Sequence, residues 1–204
     1  MKYLATVLVS LVLIMSSCAQ SNNAKVGGPC EGCEAVNEFG TKNLKWSDTI
    51  FGFETATNKI KISGKVYMSD GKTPAKDVLL YIYHTDNTGR YPKKSTSNGW
   101  EKRHGFLRTW LKTDSRGNYE FFTSRPASYP NSTVPQHIHI TVKEPHLNEY
   151  YIEDFYFADD PNLTPNIVNR THPRGGSGVI TLKRSGTLKT ATRDIILGLN
   201  IPNY

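Results

Sequence analysis

Hydrophobic and polar residues alternate in short segments along most of the chain. The segment from Ile60 to Met68 alternates at every second residue, with a bulge expected at Gly64, and the segment from Val78 to His84 is almost continuously apolar. Alternation with a period of two indicates a strand that is buried on one face, whereas an unbroken apolar run is typical of a central strand. Both segments are therefore predicted to be β-strands, the second of them inside a sheet.

Further segments of this kind, separated by turn residues, follow along the rest of the chain. They cover residues 106–111, 119–123, 151–157, 178–183 and 191–199. The stretches 92–104 and 161–177 lack such periodicity, and we expect them to be loops. Short strands at fairly even spacing, with turns between them, predict an all-β fold, a β-sandwich with long loops and little helix.

One further strand carries two histidines. Residues 135–142 read Pro-Gln-His-Ile-His-Ile-Thr-Val, which is rich in β-branched residues and begins with proline. Side chains alternate between the two faces of a strand, so His137 and His139 share one face while Ile138 and Ile140 share the other. Two imidazoles on one face can hold one metal ion. The alternative is a pair of surface or partly buried histidines that share no ligand.

Length and charge define the class of protein only broadly. A chain of 204 residues fits one domain with a tail and is long enough to bury a core without disulfides. The 25 basic and 18 acidic residues give a net charge of +7, but no run of lysine and arginine exceeds two residues. We therefore expect no nucleic-acid partner, and the basic surface suits anionic small molecules or an anionic membrane surface.

The first residues have the pattern of a targeting segment. A lysine is followed by a mostly apolar stretch up to Met15 that is too short to span a bilayer well. The next residues, Ser-Ser-Cys, resemble the cleavage site of bacterial lipoproteins, in which the cysteine, here Cys18, carries the lipid. We expect residues 1–17 to be a lipoprotein signal peptide and the exported protein to be lipid-anchored to a bacterial membrane, in the periplasm or at the outer membrane or cell surface. An ordinary secretory signal, cut near Ala19, is the alternative.

Residues 18–45 are rich in glycine, asparagine and serine and lack apolar periodicity. We expect them to form a tether that contains one turn closed by Cys30 and Cys33. In an exported protein a local disulfide is the default for such a CxxC pair, and a redox or metal-binding role is the alternative. Residues 46–204 are then the folded domain.

Within this domain a series of short motifs occurs in a definite order. The motifs are Gly64-Lys65-Val66, Gly71 with Pro74, Asp86 to Tyr91, Thr113-Asp114 with Gly117 and Tyr119, Pro126 with Tyr129-Pro130, His137-Ile138-His139, and Tyr156-Phe157 with Asp160-Pro161. Over residues 58–200 they resemble the intradiol ring-cleavage dioxygenases, the family of the protocatechuate and catechol enzymes. The resemblance implies the β-sandwich of the intradiol dioxygenase core and an oxidoreductase that incorporates both atoms of O₂.

In that family a ferric ion is held by two tyrosinates and two histidines. The matching residues here are Tyr91, Tyr129, His137 and His139, and the implied cofactor is Fe³⁺. The resemblance also implies that Tyr129 leaves the metal when substrate arrives and takes up one of its protons. The chemistry agrees, because phenolate oxygen is a hard ligand suited to Fe³⁺. A tyrosine, with a pKa near ~10, becomes a phenolate at neutral pH only beside a strong cation.

The sequence departs from the family pattern at two positions. Val134 stands where the family usually has an arginine that stabilises charge developing on the substrate, and Asp154 stands where it tends to have glutamine. Arg90, Lys93 and Arg125 are candidates for the missing positive charge. The histidines outside the pattern are expected to be solvated or hydrogen-bonded; they are His84, His104, His146 and His172.

Two classes of function follow from these patterns. The first is a ferric dioxygenase that cleaves a catechol-type aromatic ring between its two hydroxylated carbons. Its partners are then a small aromatic substrate and O₂, and it contacts a membrane through its lipid only. The alternative is an inactive β-sandwich that binds iron, a siderophore or a carbohydrate. A homo-oligomer is compatible with either class.

Overall fold

Residues 25–204 are described by the computed structural model, and they form twelve strands arranged in two sheets. The strands are β1 (Ser47–Thr49), β2 (Lys59–Tyr67), β3 (Leu79–Tyr83), β4 (Arg108–Lys112), β5 (Asn118–Ser124), β6 (His137–Lys143), β7 (Tyr150–Tyr151), β8 (Phe155–Phe157), β9 (Val179–Ile180), β10 (Lys183–Ser185), β11 (Leu188–Thr192) and β12 (Ile195–Ile196). The connections contain helices α1 (Glu101–His104) and α2 (Pro165–Val168) and two 3-10 helices, Cys33–Asn37 and Phe53–Thr55.

The beginning of the chain lies outside the described residues. This part includes the predicted signal peptide, residues 1–17, and the predicted lipidation site, Cys18. Within residues 25–204 no helix has the length and apolar character needed to cross a membrane.

The two sheets confirm the all-β prediction. The first sheet has the order β1-β5-β2-β11-β10, and β12 also pairs with β2. The second sheet has the order β4-β3-β6-β8-β9, and β7 also pairs with β6. β3 pairs with β4 on one side and with β6 on the other. The apolar run from Val78 to His84 is therefore a central strand, as its pattern predicts.

The main core lies between the two sheets and is built from the apolar faces of their strands. It includes Ile60, Ile62 and Val66 of β2, Leu80 and Ile82 of β3, and Ile138, Ile140 and Val142 of β6. Burying one such aliphatic side chain contributes about 1.5–3 kcal/mol. Because Ile138 and Ile140 face this core, the two histidines of β6 face away from it.

The outer face of the second sheet is covered by the segment that precedes β1. Ala35 and Val36 are fully buried there against Tyr81 and Trp110, and Trp110 Nε1 donates a hydrogen bond of 2.9 Å to the carbonyl of Ala35. Part of the tether expected over residues 18–45 is therefore packed onto the domain, whereas the turn expected within it is closed by a disulfide between Cys30 and Cys33. Two small apolar side chains give no periodic signal, and for this reason the pattern did not show this packing.

The expected bulge at Gly64 is also wrong. Pairing between β2 and β5 runs without interruption from Lys59 opposite Ser124 to Lys65 opposite Asn118. Gly64 is needed for another reason, because a Cβ atom there would overlap the carbonyl oxygen of Arg193. This glycine permits a close approach of two backbones.

A bulge does occur along the other side of β6. Thr141 pairs with Tyr151, and Ile138 pairs with Phe155. Between these two pairs β6 has two residues, whereas the neighbouring segment 152–154 has three. The strand expected over 151–157 is therefore divided into β7 and β8, and the extra residue re-aims the side chains between them.

Two stretches expected to be loops contain short helices. Helix α1 lies within 92–104, and helix α2 lies within 161–177 and begins with Pro165 at its first position. Proline suits that position because the first N–H of a helix has no partner within the helix. Four-residue helices are too short to leave a periodic pattern in the sequence.

Candidate metal centre

Strand β6 presents His137 and His139 on the outer face of the second sheet, as their spacing predicts. The beginning of the strand is fixed by Asp160, whose carboxylate accepts a hydrogen bond of 2.6 Å from the backbone N–H of Gln136. The ring centroids of the two histidines are 4.5 Å apart, with the ring planes nearly perpendicular. The strand alone therefore brings the two imidazoles side by side.

Tyr91 and Tyr129 come from two loops that are tied to each other. The N–H of Ala127 donates a hydrogen bond of 3.0 Å to the carbonyl of Asp86. The hydroxyl of Thr85 donates one of 2.8 Å to the carbonyl of Ala127. These two contacts fix the spacing between the loops a few residues before each tyrosine.

The loop before Tyr91 is a turn organised by Asp86. Its carboxylate accepts hydrogen bonds from the N–H groups of Thr88, at 2.8 Å, and Arg90, at 3.1 Å. Gly89 adopts a φ of 76°, and a Cβ atom there would overlap the carbonyl oxygen of Ser128. Only glycine lets the two tyrosine loops approach this closely.

The four predicted side chains meet at one point. The Tyr91 oxygen lies 2.7 Å from the Tyr129 oxygen and 2.8 Å from His139 Nε2. The Tyr129 oxygen lies 3.1 Å from His137 Nε2 and 3.3 Å from His139 Nε2. The two Nε2 atoms are 3.1 Å apart. Two oxygen and two nitrogen donors thus surround a single small volume.

The hydrogen bond made by Nδ1 of each imidazole determines the protonation of Nε2, the nitrogen that faces this volume. His137 Nδ1 lies 2.7 Å from the carbonyl oxygen of Pro135, which can only accept a hydrogen bond, so Nδ1 carries the proton. His139 Nδ1 lies 3.2 Å from a carboxylate oxygen of Asp154 and donates to it. In the neutral imidazoles both Nε2 atoms are therefore unprotonated, and their lone pairs point into the same volume.

This donor set fits a ferric ion. Ligands bound about 2 Å from one ion lie roughly 3 Å from each other, which is the spacing found among these four atoms. Phenolate oxygen and neutral imidazole nitrogen are suitable ligands for iron. His137 and His139 also form, with Asp154, a group whose possible ligand atoms all lie within 4.8 Å of one another.

The protonation of the site without a cation is set by burial. Burial raises the pKa of Tyr91, and its hydrogen bond with Tyr129 raises it further. Burial also raises the pKa of Tyr129 and lowers the pKa of His137. Both tyrosines are then neutral phenols, and a cation entering the site must displace their two protons.

Asp154 is brought to His139 by the bulge between β7 and β8. Burial acts to raise the pKa of Asp154, but the nearby His139 and the hydrogen bond that it donates prevail and hold the pKa below its usual value. A carboxylate that accepts from the far nitrogen of a metal-binding imidazole fixes the ring and strengthens it as a ligand. The sequence marked this position only as a departure from glutamine, and the contact with His139 was not foreseen.

A stack of aromatic rings supports His139 from the side. Tyr83 lies directly opposite His139 in the pairing of β3 with β6, and their ring centroids are 4.5 Å apart. His104 stacks on the other face of Tyr83 at 3.9 Å, and Trp100 stacks on His104 at 5.1 Å. Sequence reasoning missed Tyr83, because register between strands is not visible in a single sequence.

The candidates for the missing positive charge are differently placed. Arg125 donates a hydrogen bond of 2.6 Å to Gln136 and forms an ion pair of 2.9 Å with Asp159. Arg90 and Lys93 are exposed, and so is Val134. Arg125 is therefore committed to other partners, and the two remaining cations lie at the surface.

The four histidines outside the motif behave as predicted. His84 is buried between hydrogen bonds of 2.6 Å to the carbonyl of Thr85 and to the hydroxyl of Thr123. His104 is buried, and its Nδ1 shares a hydrogen bond of 3.0 Å with the hydroxyl of Tyr81. His146 and His172 are exposed to solvent.

Comparison with known proteins agrees with this fold. A family model described as Dioxygenase matches residues 49–185 of the chain. The chain belongs to this family, the intradiol ring-cleavage dioxygenases.

Several solved structures share the fold at low sequence identity. The dioxygenase domain of a dioxygenase and carbohydrate-binding protein fusion from Streptomyces sp. SirexAA-E is 21% identical, with a TM-score of 0.55, over 76% of this chain and 87% of that one. Catechol 1,2-dioxygenase from Pseudomonas arvilla C-1 is 16% identical, with a TM-score of 0.56, over 75% of this chain and 56% of that one. Hydroxyquinol 1,2-dioxygenase from Pseudomonas putida DLL-E4 is 18% identical, with a TM-score of 0.54, over 87% of this chain and 68% of that one. The chain thus matches little more than half of the Pseudomonas arvilla enzyme.

Proposed function

We propose that this protein is an iron-dependent intradiol dioxygenase, which opens a catechol-type aromatic ring between its two hydroxylated carbons. The observation that carries the proposal is the convergence of two phenol oxygens and two unprotonated imidazole nitrogens on one volume. Membership of the dioxygenase family supports the reaction type.

Tyr91, Tyr129, His137 and His139 would hold the iron. A ferric ion there supplies Lewis acidity, which draws electron density from a catechol and makes its ring reactive toward dioxygen. The protein brings the four donors together before substrate arrives. Two of them lie on a central strand and two on loops tied together by hydrogen bonds, so little rearrangement is needed on binding.

Tyr129 would act as the proton acceptor for the incoming substrate. It lies in the irregular segment between β5 and β6, so it has more freedom to move than the strand-borne histidines. Burial raises the pKa of this phenol, so a phenolate released from a cation there readily takes a proton. A catechol hydroxyl arriving in its place can supply that proton.

His139 would be kept in position by groups on both of its sides. Asp154 accepts the hydrogen of Nδ1, which directs Nε2 toward the phenols. Tyr83 stacks against one face of the ring. These contacts hold the correct tautomer while substrate exchanges with Tyr129.

Oxygen consumption with ¹⁸O₂ tests the proposed reaction. Protein purified with its iron and given catechol should consume oxygen and release a ring-opened dicarboxylic acid that contains two ¹⁸O atoms. A coloured, iron-containing protein that consumes no oxygen with any of several substituted catechols would contradict it. That outcome would favour a protein that binds iron without turnover, which is consistent with Val134 standing where the family has a charge-stabilising arginine.

We also propose that the chain is anchored through lipid on Cys18. The support is the sequence alone, since an apolar segment ends in Ser-Ser-Cys. The full chain should fractionate with membranes, and the Cys18→Ser variant should not be lipidated there. Mass spectrometry of the mature N-terminus decides this, because an unmodified residue 19 at the N-terminus would contradict lipidation.

A further inference from the structure

The bulge between β7 and β8 turns two carboxylates away from the core. Ile152 and Phe155 both belong to the main core, so the two residues between them, Glu153 and Asp154, are directed to its outside. Asp154 accepts the hydrogen of His139 Nδ1. The carboxylate of Glu153 is therefore next in the chain to a group that supports the candidate metal centre.

Glu153 binds Arg170, which comes from the loop after α2. Arg170 Nη1 lies 2.5 Å from Glu153 Oε2. Glu153 is buried, whereas the side chain of Arg170 is 47% exposed. Among the hydrogen bonds of residues 25–204, this guanidinium uses only Nη1. Its other N–H groups are therefore available to an anion that arrives from solvent.

The loop that carries Arg170 is fixed along the bulge by backbone hydrogen bonds. The N–H of Glu153 donates to the carbonyl of Arg174 at 3.0 Å, and the N–H of Tyr156 donates to the carbonyl of Gly178 at 2.9 Å. These bonds, together with the ion pair to Glu153, hold the guanidinium beside the bulge.

Tyr156 relates this guanidinium to the metal centre. Tyr156 lies directly opposite His137 in the pairing of β6 with β8, and their ring centroids are 6.2 Å apart. Burial raises the pKa of Tyr156, and the charge of Arg170 acts in the opposite direction. The pKa of Arg170 is raised by its hydrogen bond with Glu153 and further by Tyr156 and Asp154. Arg170 is thus within electrostatic reach of residues that lie beside both histidines of the centre.

The space that Tyr129 would vacate lies on this side of the centre. Tyr83 and Tyr91, whose ring centroids are 5.9 Å apart, lie together on the β3 side. The Tyr129 ring lies instead against His137, with 5.2 Å between centroids. We therefore expect a catechol that takes the place of Tyr129 to extend its ring toward β8. Neighbouring segments of a sheet lie about 5 Å apart, so a substituent on the far side of that ring can reach the guanidinium of Arg170.

We propose that Arg170 binds an anionic substituent of the substrate ring, so that the preferred substrate is a catechol that carries a carboxylate. The proposal rests on the proposed function, because the catechol must first bind at the four donors. Guanidinium and carboxylate are both planar and form short, charge-assisted hydrogen bonds. Arg170 is therefore a residue that determines specificity and is not a ligand of the metal.

The charges at the bulge permit an anion to bind there. Arg193 is buried on the core side and donates a hydrogen bond of 2.6 Å to the carbonyl of Glu153. The two carboxylates of Glu153 and Asp154 are thus accompanied by two guanidinium groups, those of Arg170 and Arg193. No excess of negative charge at the bulge opposes a carboxylate on the substrate.

Anaerobic calorimetry with two ligands of the same shape tests the proposal. The ligands 3,4-dihydroxybenzoate and 3,4-dihydroxybenzamide differ in the charge of one group. Iron-containing wild-type protein should bind the benzoate about tenfold more tightly than the benzamide, and Arg170→Gln should remove most of this preference by weakening benzoate binding alone. Its iron content and visible band should match those of the wild type, because no metal ligand is changed. A wild-type protein without the preference, or an Arg170→Gln protein that retains all of it, would overturn the proposal.

A double variant decides the matter if Arg170→Gln fails to fold. In the Arg170→Gln, Glu153→Gln protein no buried carboxylate is left without a partner, and the local net charge is unchanged. The preference for the benzoate should still be lost, and its full retention would overturn the proposal. Arg184→Gln is the matched control, because it removes one exposed arginine from β10 in the other sheet. The control should keep the wild-type preference, and an equal loss in Arg184→Gln would show that only the overall charge matters.

The outcomes separate this proposal from the proposed function. If wild-type protein holds iron and binds both ligands equally well, only the role of Arg170 is refuted. If wild-type protein holds no iron and binds neither ligand, the proposed function fails and the role of Arg170 falls with it.

Discussion

The residues that define the site are two imidazoles whose unprotonated nitrogens lie 3.1 Å apart. Two lone pairs directed at each other repel, and only shared protons or a cation relieve the repulsion. The phenols of Tyr91 and Tyr129 can donate one proton each to these nitrogens. A cation bound among the four donors would replace both protons, and the two phenolate oxygens would favour a hard ion such as Fe³⁺.

Asp154 should determine how tightly the site binds its metal. Asp154→Ala removes the acceptor for His139 Nδ1 and should weaken iron binding about 10- to 100-fold. Asp154→Asn, which retains an acceptor oxygen, should weaken it less. Iron retention during dialysis against a graded series of chelator concentrations measures both. Equal retention by Asp154→Ala and the wild type would show that this contact is irrelevant to the metal.

Tyr129 should influence both colour and turnover. Tyr129→Phe removes one oxygen donor and the proton acceptor, so the visible band should shift and kcat should fall about 100-fold. Tyr204→Phe is the control, since the Tyr204 hydroxyl donates a hydrogen bond of 3.1 Å to Glu144, which is not one of the four donors. Visible spectra and oxygen uptake of both variants provide the comparison. A Tyr129→Phe protein with the wild-type band would exclude Tyr129 as a ligand.

At the scale of elements, the site depends on features that interrupt regular structure. A bulge between β7 and β8 turns Asp154 toward His139. A glycine with positive φ lets the two tyrosine loops touch. The bulge positions Asp154, and the glycine positions the two tyrosine loops. A regular strand would direct these groups elsewhere.

Gly89→Ala should therefore damage the site more than an ordinary glycine substitution. The new methyl group would strain a φ of 76° and also collide with the carbonyl of Ser128, which pushes Tyr91 and Tyr129 apart. Gly40→Ala is a matched control, because Gly40 has a φ of 59° but open space around it. Both variants should lose about 1–2 kcal/mol to backbone strain. Only Gly89→Ala should also lose iron, and equal iron content in the two would refute the argument.

The sequence predicted the elements better than their relation to one another. Alternation located β2, an apolar run located β3, and β-branched residues located β6. The two-residue period of a strand then placed His137 and His139 on one face, because that period is a local property. It placed a bulge at Gly64 when one exists at residues 152–154, because a bulge is defined by the partner strand. Tyr91 and Tyr129 were found only through the family resemblance. The stack of Tyr83 on His139 depends on register, and Arg170 reaches Glu153 through tertiary packing.

At the scale of the whole molecule, a buried histidine links stability to pH. His84 lies inside the sandwich, and burial lowers its pKa to about 4. In the unfolded chain its pKa is about 6.5, so acid protonates the unfolded state first. The stabilising contribution is complete above about pH 6.5 and is lost as pH falls toward 4.

Chemical denaturation at two pH values should reveal this linkage. Between about pH 7.5 and pH 5, His84 should account for a loss of roughly 2 kcal/mol in the free energy of unfolding. His84→Gln, which keeps hydrogen-bonding capacity, should show that much less pH dependence. His146→Gln, at an exposed position, should behave as the wild type does. The three proteins are compared in the same metal state. If their free energies of unfolding depended equally on pH, His84 would not be the cause of the linkage.

The measurement that bears most directly on the whole account is the iron content of the purified wild-type protein, determined on the same sample as its visible spectrum. We expect close to one iron per chain and a broad visible absorption from tyrosinate-to-iron charge transfer, which gives a burgundy colour. Protein from iron-replete cells that is colourless and free of iron would contradict a ferric centre at Tyr91, Tyr129, His137 and His139.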